Sequence, residues 1–347
     1  MSQTKGSLSP AMRGGIAVVL LLGVAGLVLW LGQGGEPISN GDGNKGPRKP
    51  ANAPPVFSDS AQCKACHESA WSQWRASHHA MAYTNPEVRK LSDDFAQKEC
   101  RSCHLPKPIL QTGAGERTLY RQSRPNDGVD CLSCHLDPQG RIAGRHASKK
   151  GCQPVANADI ISMKLCESCH NQHKTTDQWR ASAYPSRGIT CNTCHMKEVK
   201  KGDKVVKRSH AFAGCHDLDT LRSAAEFRAV RKGDQIEVEV ENKGAGHNFP
   251  TEERHRAVDI VWRIVAPADA KKGPKELAFE RLYRFRQPYR GDPGPNTQLP
   301  AEETWKGRID LPAEALGKLL QIRMIYKLTP FLQDQEGQLL AEREIQL

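Results

Sequence analysis

The chain has 347 residues, with 50 Lys and Arg against 39 Asp and Glu and a formal net charge of +11. Hydrophobic residues make up 38% of it, enough to build a packed core, which excludes disorder as its general state. Its 12 cysteines are far more than a chain held in a reducing cytosol usually keeps, which argues against a cytosolic enzyme.

Lys5 and Arg13 precede an uncharged apolar run from Ile16 to Leu31. The run is slightly shorter than the roughly 20 residues of a membrane span, so a signal peptide competes with a transmembrane helix. Gly32-Gln33-Gly34-Gly35-Glu36 follows, with no Ala-x-Ala cleavage pattern and no cysteine for a lipid. We therefore expect an uncleaved anchor over 1–32, its positive end in the cytoplasm. Both readings export the remainder, which places the soluble head in the periplasm at a bacterial inner membrane. Residues 33–56 are rich in Gly, Pro and Asn and read as a flexible linker.

Five Cys-x-x-Cys-His units come next: Cys63–Cys66–His67, Cys100–Cys103–His104, Cys131–Cys134–His135, Cys166–Cys169–His170 and Cys191–Cys194–His195. Two thiols at this spacing can each bond one vinyl group of the same haem, and the histidine that follows lies under the iron. Zinc ribbons and disulfides also use Cys-x-x-Cys pairs, but neither requires a histidine after the second cysteine every time. The sequence thus calls for five c-type haems, their irons held by His67, His104, His135, His170 and His195. The basic excess would suggest nucleic acid. Two propionates on each haem, about ten negative charges in all, offset it, and we expect no nucleic-acid partner.

The segment 57–221 has short helical pieces and few long apolar stretches, as expected where porphyrins supply the core. From residue 222 the pattern changes. Gln235–Glu241 alternates apolar and charged residues, Leu320–Leu328 does so similarly, and Ala257–Val265 reads as a more buried strand. Turn residues such as Gly291-Asp292-Pro293-Gly294-Pro295 punctuate these runs. The expected fold is a mainly α and irregular pentahaem cytochrome c segment over 57–221. An all-β sandwich of immunoglobulin-like build follows over 222–347.

Eight histidines lie outside the motifs: His78, His79, His146, His173, His210, His216, His247 and His255. They are enough to give every iron a second ligand, as in a closed electron carrier, without requiring it. Cys152 and Cys215 also stand outside the motifs, and a disulfide between them is the simplest reading; a free thiol and a sulfur ligand to iron are the others. Trp179-Arg180-Ala181-Ser182-Ala183-Tyr184 repeats Trp74-Arg75-Ala76-Ser77-His78-His79, with Tyr184 where the first copy has His79. Tyr184 either packs or leaves one iron without a ligand from this motif.

Trp74-Arg75-Ala76-Ser77-His78-His79-Ala80, Gly188–Met196, Ser209–Gly214 and Gly246-His247-Asn248-Phe249-Pro250-Thr251 resemble motifs of multihaem cytochromes. The group in question includes the tetrahaem electron carrier of nitrifiers, hydroxylamine oxidoreductase and pentahaem nitrite reductase. The resemblance covers about residues 60–260. It implies His79, rather than His78, and His210 as distal ligands, with His146 and His247 as further ones. Pentahaem nitrite reductases of this group carry a Cys-x-x-Cys-Lys haem, and every motif here ends in His. We therefore expect an electron carrier, with no catalytic residue assigned. It would work between a membrane donor, such as a quinol-oxidising complex, and a redox protein partner. The alternative is a reductase or oxidase of a small nitrogen or sulfur compound with one open haem.

Overall fold

The computed structural model describes residues 56–251, 255–265, 278–288 and 293–347, with the side chains of 205 and 206 excepted. The expected anchor over 1–32 and nearly all of the 33–56 linker lie outside these residues. Among the described residues no helix is long and apolar enough to cross a membrane.

The first half is built from short helices. Helix α1 (Ala61–Arg75) is kinked at His67 and carries the first motif. It is followed by α2 (Pro86–Leu91), α3 (Lys98–His104) and α4 (Ile109–Thr112). Then come α5 (Cys131–His135), α6 (Met163–His170), α7 (Thr175–Ala181) and α8 (Cys191–His195). Motifs two to five therefore each end a helix on their own histidine. Helices of five to eight residues cannot persist alone, because too few hydrogen bonds offset nucleation. Their caps and tertiary neighbours must hold them. Asp130 and Ser133 form a reciprocal cap at α5, with Asp130 Oδ1 accepting from the Ser133 N–H at 2.8 Å and the Asp130 N–H donating to Ser133 Oγ at 3.1 Å. At α8 the Thr190 N–H donates to Thr193 Oγ1 at 3.1 Å. Strands β1 (Ala143–Gly144) and β2 (Val155–Ala156) form a small parallel bridge, and β3 (Glu198–Lys201) and β4 (Lys204–Arg208) an isolated hairpin.

The second half is two antiparallel sheets. One has the order β11–β10–β7–β8, from β7 (Ala257–Val265), β8 (Glu280–Arg286), β10 (Leu319–Lys327) and β11 (Gln338–Gln346). The other has the order β5–β6–β9, from β5 (Glu226–Lys232), β6 (Gln235–Glu241) and β9 (Thr304–Asp310). Alternation on β6 buries Ile236, Val238 and Val240 completely. They share one core with Val258, Ile260, Phe285, Leu320, Ile322 and Met324 from the other sheet. The strand runs read from the sequence coincide with β6 and β7 and fall within one residue of β10. Buried Asp259 on β7 is paired with Arg284 of β8 at 2.6 Å and with Lys327 of β10 at 3.1 Å, so one carboxylate ties three strands.

The described residues fall in one compact unit. The division expected between 221 and 222 cuts through helix α9 (Leu218–Ala224), whose Leu221 and Ala224 belong to the β core. Asp217 caps that helix by accepting from the Thr220 N–H at 2.8 Å.

Candidate haem centres

Three histidines of the motifs face a second histidine from elsewhere in the chain. His170 faces His79 with ring centroids 6.0 Å apart, His135 faces His210 at 6.4 Å, and His195 faces His247 at 6.3 Å. A metal–imidazole nitrogen bond of about 2 Å, with the ring centre roughly 1 Å further on, puts two axial imidazoles on one iron about 6 Å apart. The three pairs fit that separation.

The hydrogen bonds fit as well. Nδ1 of His104 bonds the Ala82 carbonyl at 2.7 Å, that of His135 the Ala143 carbonyl at 2.9 Å, and that of His195 the Ala213 carbonyl at 2.6 Å. His210 uses the Arg208 carbonyl at 3.0 Å and His247 the Asn248 carbonyl at 2.9 Å. An imidazole that donates from Nδ1 leaves its Nε2 lone pair for a metal. Burial lowers the pKa of His135, His195 and His210, and pushes His79 down to about 3 with help from nearby His170 and His195. All four are therefore neutral at pH 7, the state in which imidazole ligates. His173 Nδ1 and Thr176 Oγ1 are buried without a hydrogen-bond partner among the described residues, as polar atoms beside a bound group would be.

The cysteines of different motifs meet. Cys63 and Cys131 share a hydrogen bond that raises the pKa of the first and lowers that of the second. Cys103 and Cys169 interact in the same way with the roles exchanged, Cys103 lowered to about 6 and Cys169 raised, and Thr118 Oγ1 lies 4.0 Å from the first sulfur and 3.9 Å from the second. Cys166 and Cys191 form the third such pair, with Cys191 at about 7. Motifs one and three, two and four, and four and five are thus immediate neighbours. Haems bonded to them would abut at their thioether edges, the arrangement a chain of one-electron centres needs.

The spare histidines divide. His78 stacks on His216 at 3.5 Å and, among the described residues, faces no motif histidine, so only the second residue of the His78-His79 pair is directed inward. His146 is exposed, and among the described residues no motif histidine faces it. No second imidazole faces His67 or His104 among the described residues. The ring contact of His104 is with fully buried Phe95, at 5.4 Å. The expected Cys152–Cys215 disulfide is not formed. Cys215 packs against the β core, whereas Cys152 lies beside Cys63 at the first motif, which keeps the two sulfurs apart.

The internal repeat is structural. The Trp74 indole donates to the Val129 carbonyl at 2.7 Å and the Trp179 indole to the Ile189 carbonyl at 3.0 Å. Each acceptor lies two residues before the first cysteine of a motif, so each tryptophan anchors the approach to a haem site. Tyr184 takes the position of His79 but packs: its ring lies against Gly246, where an added Cβ would meet it at 2.8 Å, and its hydroxyl donates to the Lys243 carbonyl at 3.1 Å. Ser182 Oγ donates to the Gly246 carbonyl at 3.1 Å, so both residues brace the loop that carries His247. Tyr184→Phe should therefore cost only about 1 kcal/mol, the worth of one hydrogen bond. The haem spectrum should not change. Conversion of a low-spin haem to high spin in that variant would make the phenol an iron ligand instead.

Nothing in the sequence marked the carbonyls of Ala82, Ala143 and Ala213 as partners of motif histidines, because backbone acceptors carry no residue signature. The cap at α5 did leave a signal, in the Asp-Cys-x-Ser-Cys-His order of residues 130–135.

A family model described as cytochrome c554 and c-prime matches residues 62–136, which hold the first three motifs. No curated protein matches. Among solved structures, the chain is similar to a penta-heme cytochrome c552 from Thermochromatium tepidum, at 19% identity and a TM-score of 0.59, over 83% of this chain and 99% of that one. The fold of the chain is that of a multihaem cytochrome. Family match and fold together support c-type haem with iron and a redox role.

From these contacts, His79→Ala should convert one low-spin haem to high spin while its thioether bonds remain, because only the distal imidazole is lost. His78→Ala should leave the spectrum unchanged. Electron paramagnetic resonance of the oxidised protein checks both, and reversed spectra would assign the inward ring to the wrong residue.

Proposed function

We propose that the chain is a membrane-anchored, periplasmic pentahaem cytochrome c that passes electrons from a membrane donor, such as a quinol-oxidising complex, to a redox protein. The observation that carries the reading is the set of three histidine pairs at 6.0–6.4 Å, each joining a motif histidine to one from a distant part of the chain. Bound haem iron supplies one-electron chemistry that no side chain here can perform. The residues do the rest. The cysteines would hold each macrocycle, the three imidazole pairs would each supply two ligands to an iron, and the carbonyls at Nδ1 hold the rings in place. A closed iron has no coordination position for a substrate.

One observation favours a second reading. The ring beside His104 is Phe95, which has no donor atom, and it stacks on Tyr83 at 4.6 Å. An iron at the second motif with an open face would suit a reductase or oxidase of a small nitrogen or sulfur compound. A pyridine haemochrome assay with mass spectrometry should return about five haems per chain. Electron paramagnetic resonance should show mainly low-spin irons, and turnover of nitrite or hydroxylamine with reduced viologen should be slow or absent. Three haems, or tightly bound zinc, would overturn the haem assignment. A large high-spin signal with rapid turnover would favour the second reading over the first.

A further inference from the structure

Of the hairpin β3–β4, the haem sites use Arg208, whose carbonyl holds the His210 ring; the lysines have no such role. Residues 197–208 hold six basic side chains, Lys197, Lys200, Lys201, Lys204, Lys207 and Arg208, against two acidic ones, Glu198 and Asp203. All five lysines are exposed. Glu198 is committed to Arg208 at 2.9 Å, and Lys207 donates to Ser69 Oγ at 2.8 Å. Lys197, Lys200, Lys201 and Lys204 meet no carboxylate within ion-pair distance among the described residues.

The outer sheet of the β half behaves differently. There Arg228 pairs with Glu226 at 2.7 Å, Lys243 with Glu226 at 2.9 Å, Lys306 with Glu239 at 2.7 Å and Lys232 with Glu237 at 3.6 Å. Cations on that face are neutralised locally, whereas those on the hairpin project as a field of one sign. Such a field steers an oppositely charged protein and orients it on encounter.

The position of the hairpin matters as much as its charge. It begins directly after the fifth motif, and Cys194 of that motif is one of two exposed motif cysteines, the other being Cys66 of the first. At its far end, the hairpin is tied to helix α1 by Lys207 and by the His210 N–H, which donates to Gln73 Oε1 at 2.9 Å. It is therefore fixed at both ends beside the motifs whose cysteines reach the surface.

We propose that the β3–β4 hairpin is the docking surface for a soluble redox protein with a carboxylate-rich face, which exchanges electrons at the fifth haem site. This inference rests on the electron-transfer reading above.

The test uses the full haem-loaded chain and a triple charge reversal, Lys200→Glu, Lys201→Glu and Lys204→Glu, none of which touches a haem site. Lys232→Glu with Arg308→Glu serves as a control on the outer sheet. The probes are a reduced plant-type [2Fe–2S] ferredoxin, which is acidic, and a zwitterionic viologen without net charge. Stopped-flow reduction by ferredoxin at low salt should slow about ten-fold or more in the triple variant, and calorimetric binding of oxidised ferredoxin should weaken in parallel. The difference should collapse near 1 M salt, where the screening length is about 3 Å. Reduction by the viologen should be unchanged, and the control should match the parent.

Equal slowing with both probes, no slowing with ferredoxin, or slowing of the control to the same extent would overturn the docking site. So would loss of binding to phosphatidylglycerol vesicles at an unchanged ferredoxin rate, because the hairpin would then meet lipid. A parent protein that the viologen fails to reduce would instead overturn the electron-transfer reading itself.

Discussion

Replacing His247 by alanine is expected to turn about one fifth of the haem from low to high spin, although the residue lies in the β half of the chain, far from any motif. The ring of His247 is 6.3 Å from that of His195 and nearly parallel to it, at 10°. Its neighbours leave it little freedom. Asn242, fully buried at the end of β6, donates from Nδ2 to the His247 carbonyl at 2.8 Å and to the Leu299 carbonyl at 3.0 Å. The Asn248 N–H donates to Gln178 Oε1 at 3.3 Å, and Thr251 Oγ1 donates to the same oxygen at 2.6 Å. The alanine variant keeps every one of these contacts and loses only the imidazole. The loop should therefore hold its place, and the fifth iron should lack one axial ligand. Free imidazole added to the variant should restore the low-spin signal, which separates a lost ligand from a disturbed fold. A low-spin spectrum in the variant without added imidazole would show that His247 does not close this iron.

That residue also shows what could be read from the sequence and what could not. The motifs were legible because covalent attachment demands a fixed local spacing, and the β strands because alternation is local. His79, His210 and His247 stood out as candidates through the short patterns around them. Which motif each would face was not legible. His210 follows the fifth motif by 15 residues yet faces His135 of the third, and His79 follows the first yet faces His170 of the fourth. Such pairings depend on how the helices pack, and packing leaves no spacing rule in the chain. His146 shows the converse: its position after the third motif suggested a ligand, but it sits exposed on a loop, and among the described residues no motif ring lies opposite it. The boundary read at residue 221 falls inside helix α9 for a similar reason. The end of cysteine use marked a change of composition, while Leu221 and Ala224 were already packed into the β core.

Arg121→Ala should be the most destabilising single change outside the ligands, at about 3–5 kcal/mol. Nothing near Arg121 in the sequence marks it, yet its side chain is only 4% exposed and every donor it carries is used. Nε donates to the Ser123 carbonyl at 2.9 Å, and one terminal nitrogen to the Pro106 carbonyl at 2.9 Å and Ser133 Oγ at 3.0 Å. The other donates to the carbonyls of Gly128 at 2.7 Å and Arg124 at 3.2 Å, and lies 3.4 Å from Asp130 Oδ2. Burial lowers the pKa of this guanidinium, although the Asp130 carboxylate opposes the shift. Asp130 is the residue that caps the Cys131–His135 helix, so the network holds the third motif in register with the chain before it. Alanine would leave four carbonyls short of a donor and Asp130 with Arg124, at 2.7 Å, as its one guanidinium partner among the described residues. Lysine would keep the charge but, with three donors and no planar fork, could satisfy only part of the set, so Arg121→Lys should fall between the parent and Arg121→Ala. At roughly 2–4 °C per kcal/mol, the alanine variant should melt on the order of 10 °C lower, followed by circular dichroism. Mass spectrometry should also find a fraction of chains one haem short, because a loosened Cys131–Cys134 segment presents its thiols poorly during attachment. A loss below about 1 kcal/mol with full haem content would show that the cap at Asp130 holds α5 without this guanidinium.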